Sequence, residues 1–195
     1  LPLALFAIAT SIALFPRVAR YLKHHDEAKA MVFMRKAFWF LLFILSFSTL
    51  GGYLLSHEIT WLLFERGAFH ADDTRNTTAV LQMYMLGLLP FGLSKLFALW
   101  LYAQQRQGEA ATIATYTLGS NIIFSLALIT PLQASGLALA SSLSGFIGFI
   151  LTVRAFGRCR FFDIISKKYL LLYAGSMVVF TLILLTFKEF LHGYL

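Results

Sequence analysis

The sequence predicts an all-α, polytopic membrane protein, on three observations. Apolar residues fill 59% of its 195 positions and charged residues only 13%, where a soluble domain carries about a quarter charged. The mean hydropathy is +0.76. Six apolar runs, 1–16, 37–56, 77–103, 110–131, 134–153 and 169–187, are each near the ~20 residues that cross a hydrocarbon core of roughly 30 Å.

Taken in order, the first run opens Leu1-Pro2-Leu3 without Met, a basic segment or a small-residue cleavage site. It therefore reads as a transmembrane helix cut at its start, not as a signal peptide; the far end, at Leu195, reads as equally arbitrary. In 18–35, Val18, Tyr21, Leu22, Ala28, Met31 and Val32 recur at helical spacing among Lys, His and Asp. This predicts an amphipathic helix on the membrane surface, a solvated connector being the alternative. Helix 2 carries Ser46, Ser48, Gly51 and Gly52, small residues suited to helix packing. In the next loop, Trp61 and Phe64 suit an interfacial anchor and Gly67 a helix end. Asp72 and Asp73 suit the N-terminal dipole of helix 3.

Helix 3 contains Gly87, Pro90 and Gly92, then Lys95. Proline removes a backbone donor, so an interruption is expected here, with freed carbonyls lining a cavity. Lys95 is the one charged residue in the six runs, and no Asp or Glu accompanies it there. A charge at that depth costs a few kcal/mol on insertion scales. It lies eight residues before Ala103, roughly 12 Å at 1.5 Å per residue, which is long for snorkelling to the interface. A cavity-facing cation in a transport pathway is the reading favoured over snorkelling. In helix 4, Asn121 and Ser125 stand one turn apart, either to bond a neighbouring helix or to join an alkali-ion site. Helix 5 holds Ala140-x3-Ser144, Ser141-x3-Gly145 and Ser144-x3-Gly148, a close-packing signature.

Charge sets the topology. Arg17, Arg20, Lys23, Lys29, Arg35 and Lys36, then Arg106, then Arg154, Arg158, Arg160, Lys167 and Lys168 occupy alternate loops. Twelve of the sixteen basic residues thus mark one side as cytoplasmic, so the net charge of +7 needs no nucleic acid to explain it. The membrane runs lack Asp, Glu, His and Cys, and the chain has no Gly-rich phosphate loop. Intramembrane acid–base catalysis and metal chemistry therefore lack their residues, and the chain reads as a non-enzyme. His24, His25 and His70 read as solvated, and the single Cys159 excludes an internal disulfide.

Four strings, 1–9, Leu63-Phe64-Glu65-Arg66-Gly67-Ala68-Phe69, 87–95 and 136–143, resemble in order and spacing the C-terminal part of the MurJ/MviN family of lipid II flippases. The resemblance spans 1–155 well, and the last helix matches only as a generic apolar segment. It implies a fold of the multidrug/oligosaccharidyl-lipid/polysaccharide exporter superfamily, with 1–155 giving five helices of a second lobe (family helices 8–12) and 156–195 a cytoplasmic linker and a peripheral helix (family helix 13). It also implies a bacterial inner-membrane location, and lipid II, membrane lipids and a preceding N-terminal lobe as partners. Lys95 matches a family lysine and would face pyrophosphate or saccharide. Some members hold sodium at positions matching Asn121, Ser125, the Leu137 carbonyl and Ser141. Where those members have Asp, this chain has Ser125, and loss of a carboxylate weakens cation binding. A related exporter of another polyprenyl-linked sugar or a drug, and a non-transporting scaffold acting through Arg158 and Arg160, are the alternatives.

Overall fold

A computed structural model describes residues 3–194, and the described residues form helices joined by short turns. A π-helical turn, Leu3–Ile8, leads into α1, Ala9–Lys23; then come α2, Glu27–Leu54, α3, Ser56–Phe64, α4, Ala71–Ala103, α5, Gln107–Phe156, α6, Arg158–Ile164, and α7, Lys167–Tyr194. Five helices are long and apolar enough to cross a membrane. One of them, α5, has 50 residues, about 75 Å at 1.5 Å per residue, more than twice the hydrocarbon core. It breaks at Gln133 (φ 50°, ψ −128°) into two antiparallel arms, 107–132 and 134–156. Across the arms Gly148 faces Thr117 and Gly136 faces the Leu128 carbonyl. The six expected apolar segments are thus all helical, and residues 1, 2 and 195 lie outside the described residues.

The expected surface helix over 18–35 is not formed as one element. α1 runs on through Pro16 to Lys23, the chain reverses over 24–26, and α2 begins at Glu27. Asp26 explains the restart: its carboxylate accepts from the Lys29 backbone N–H at 3.2 Å and pairs with the Lys29 ammonium at 2.6 Å, an N-cap. The Lys29 side-chain hydrogen bond holds the Asp26 carboxyl below its ordinary range. The expected interruption at Pro90 is also absent, since α4 is helical from Ala71 to Ala103. Packing on two sides holds it. A Cβ at Gly87 would stand 2.9 Å from the Ser142 Cα on α5, and one at Gly92 2.2 Å from a Leu45 methyl on α2. At its start, the Asp73 carboxylate accepts from the His70 N–H at 3.1 Å, so an acid sits at the dipole as expected. α3 ends before Gly67, which takes φ +62°, and it leaves Trp61 and Phe64 exposed.

An aromatic core at the basic end joins α2, α4, α5 and α6 through Phe38, Phe97, Trp100, Phe149, Phe156 and Phe161. α6 folds across that end: the Trp39 indole donates to the Ile164 carbonyl at 3.2 Å and Arg35 to the Asp163 carbonyl at 2.6 Å. Among the described residues α7 packs chiefly on α2. It is fixed near its start by the Ser46–Tyr173 hydroxyl bond of 2.7 Å, and at the opposite end by Lys188, which donates to the Leu54 carbonyl at 2.9 Å and lies 3.6 Å from Glu58.

Candidate functional site

α4 forms the floor of a trough walled by α1 on one side and the first arm of α5 on the other, and those two walls do not touch each other. Lys95, Ala98 and Tyr102 lie at i, i+3 and i+7 on the floor, the spacing of one helix face. A groove of about 330 Å³ on the α5 side is lined by Phe91, Ser94, Lys95, Tyr102, Thr117 and Asn121, among others. A groove of about 340 Å³ on the α1 side is lined by Ile8, Ser11, Ile12, Phe15, Lys95 and Tyr102, among others. Lys95 thus faces both. It makes no hydrogen bond and no ion pair among the described residues. The α1 wall is apolar apart from Ser11, whose hydroxyl is buried without a partner. The α5 wall is mostly apolar too, with Thr117 and Asn121 as its polar side chains on the first arm.

The other predicted site residues converge on one place. The Asn121 amide donates to the Ser141 and Ser144 hydroxyls, each at 3.2 Å. Ser125 donates to the Asn121 carbonyl oxygen at 3.2 Å, and Ser141 to the Leu137 carbonyl at 3.1 Å. All four expected positions, with Ser144 added, therefore form a single chain of bonds between the two arms of α5. Every oxygen in it is neutral. Asn121 presents its NH2 group, not its oxygen, to the serines, and Ser144 donates to the Ser141 carbonyl at 2.7 Å. No polar atom of the set is left buried and unpartnered. This is a closed helix–helix network; a cation would need the amide turned over and the serine hydrogens displaced. Among the described residues no three His, Cys, Asp or Glu side chains cluster as metal ligands. Asn121 also lines the α5-side groove, so network and trough share one residue.

Sequence reasoning missed Ser144 as a partner of Asn121, and missed Thr117 and Tyr102 as trough residues. A signal for each was present. Ser144 follows Ser141 by three positions, Thr117 precedes Asn121 by four, and Tyr102 follows Lys95 by seven, all same-face spacings.

The family model for "Lipid II flippase MurJ" matches residues 1–195. A probable lipid II flippase MurJ of Helicobacter pylori (strain J99) is 48% identical over 197 residues, covering 100% of this chain and 43% of that relative. One from Rhizobium tropici is 31% identical over 75% of this chain and 28% of its own length. A lipid II flippase MurJ from Thermosipho africanus is 27% identical over 93% of this chain and 38% of its own. The chain spans less than half the length of each of these relatives.

Proposed function

The chain belongs to the lipid II flippase MurJ family, and from that membership together with the trough we propose that it forms most of the second lobe of a flippase that carries lipid II from the cytoplasmic to the periplasmic leaflet of the bacterial inner membrane. The observation that carries the reading is Lys95, an ammonium without a partner among the described residues, on the floor of a largely apolar trough to which Thr117 and Asn121 add polar groups on the α5 side. A trough of this kind suits a ligand with an anionic head and a lipid tail. With the head drawn out of water, Coulomb attraction to the ammonium is several times stronger than in bulk solvent. Alternating access then moves the head outward as the lobes rock, while the prenyl chain stays in lipid. An inside-negative potential favours outward movement of a negative headgroup by about 2.3 kcal/mol per charge per 100 mV. The Asn121 network holds the two arms of α5 together as one wall, and no transport step is assigned to sodium.

The test is outer-leaflet exposure of lipid II in cells depleted of their own flippase and supplied with the whole protein. Lys95→Met should abolish or strongly reduce exposure with normal membrane insertion, and Lys95→Arg should retain much of it. Full exposure with Lys95→Met would remove Lys95 from the pathway. The scaffold alternative draws less support from Arg160, which is committed within the chain: it pairs with Glu27, donates to the Phe156 carbonyl and stacks over Trp100. Charge reversal there would disturb the fold before it disturbed a partner.

A further inference from the structure

The turns 24–26 and 104–106 adjoin at the basic end and repeat one another. In the first, the N–H groups of His24, His25 and Asp26 donate to the carbonyls of Arg20, Leu22 and Tyr21; in the second, those of Gln104, Gln105 and Arg106 donate to Trp100, Tyr102 and Leu101. Each turn pivots on a left-handed residue that is not glycine, His25 at φ 58° and Gln105 at φ 60°. Glycine is the usual residue at such a helix end, because it adopts positive φ without a Cβ clash. Here two full side chains are held against that backbone preference, and both line one cleft of about 790 Å³ together with Lys23, Glu27, Gln104 and Arg106.

The sign of the cleft is set by its side chains, because the C-termini of α1 and α4 and the N-termini of α2 and α5 meet there and their dipoles oppose. Glu27 is engaged by Arg160 at 2.5 Å, and Arg106 by Glu109. Lys23 and His25 make no ion pair or side-chain hydrogen bond among the described residues. The Gln104 side-chain oxygen accepts from Arg106 at 3.1 Å, which leaves its NH2 group to donate. A free ammonium, an imidazole and two amides therefore face a polar cleft at the end of the bundle where basic residues gather. Clustered cations beside a bilayer surface select phosphate-bearing lipids.

We propose that this cleft binds the phosphate of an anionic lipid headgroup in the adjoining leaflet, with Lys23 as counter-charge and His25, Gln104 and Gln105 as hydrogen-bond donors. The site rests on the charge-derived topology and not on the assignment of Lys95. Ala103 lines the cleft, and its neighbour Tyr102 lines both trough grooves, so the phosphate belongs either to a resident phospholipid or to a polyprenyl pyrophosphate on its way into the trough.

The whole protein, in phosphatidylcholine nanodiscs containing either phosphatidylglycerol or undecaprenyl pyrophosphate, separates the sources when retained lipids are counted by native mass spectrometry. Anionic lipid should be retained over phosphatidylcholine. Lys23→Met should lower that retention about fivefold, the equivalent of about 1 kcal/mol per basic residue near an anionic surface. His25→Gly and Gln105→Gly should also lower it, with melting temperatures equal to or above the parent's because glycine relieves the left-handed turn. Retention of phosphatidylglycerol identifies a resident phospholipid, and retention of the pyrophosphate lipid alone identifies an entry station for substrate; both support a phosphate site. Equal retention of phosphatidylcholine and anionic lipids, or parental retention in a Lys23→Met/His25→Gly double variant, overturns it. The lipid count does not depend on transport, so this site and the flippase reading can fail separately.

Discussion

Replacing Asn121 with alanine separates two physical pictures of a polar residue inside a membrane. Were Asn121 facing lipid, alanine would remove a costly polar group and the protein would gain stability. In the structure its side chain instead makes three bonds across or along the α5 hairpin, two donated to Ser141 and Ser144 and one accepted from Ser125. Interhelical hydrogen bonds in membrane proteins average about 0.6 kcal/mol each, so the two that cross between the arms amount to about 1.2 kcal/mol. Asn121→Ala should therefore destabilise the whole protein by about 1 kcal/mol in detergent-titrated unfolding. A Ser141→Ala partner completes a double-mutant cycle, and its coupling to Asn121 should be near the single-bond value of about 0.6 kcal/mol. Unchanged or increased stability in Asn121→Ala, or zero coupling to Ser141, would refute the network.

The remaining expectations are simpler. Ser125→Asp places a carboxylate one turn from Asn121 and should create a sodium-over-potassium stabilisation that the parent chain lacks, because hard cations bind charged oxygen far better than neutral oxygen; equal melting in the two salts would show that the pocket geometry, not the missing charge, forbids the ion. Gly87→Ala forces α4 from the Ser142 backbone and should cost about 1–3 kcal/mol from overpacking, offset by up to about 1 kcal/mol of helix propensity. Gly51→Ala, where an added Cβ meets nothing within 4 Å, should be neutral or stabilising in the same unfolding assay.

Much of this arrangement was legible in the residues because the bilayer simplifies the problem. Within lipid only helices and closed barrels satisfy the backbone, so run lengths predict the helices, and the basic loops predict which turns share an end. Arg106 bonding the Ala155 carbonyl and Arg160 pairing with Glu27 bring those loops together. Two features were not legible for the same reason: local propensity was overridden by packing. Pro90 should break α4 by its own chemistry, yet contacts at Gly87 and Gly92 keep the helix continuous. The amphipathic pattern over 18–35 is real but belongs to two helices, because Asp26 caps a new start within it. At the candidate site, Lys95 stood out by charge alone. Tyr102 shares its helix face by spacing alone, whereas Thr117 joins the site only because tertiary structure places α5 beside that face of α4.

The hairpin in α5 has a consequence for how the chain enters the bilayer. Its polar side chains, Asn121, Ser125, Ser141 and Ser144, find their partners in the opposite arm or in the arm that carries them, and the connection at Gln133 is a single non-helical residue. The two arms can thus leave the insertion machinery as a largely self-partnered hairpin with no long loop to thread across. Ser142 alone among the buried serines of the second arm reaches outside it, to the Met83 carbonyl of α4. α4 has no such independence: its ammonium has no partner along its own length. Lys95 therefore carries its cost of insertion into the assembled bundle, where no described side chain pairs with it.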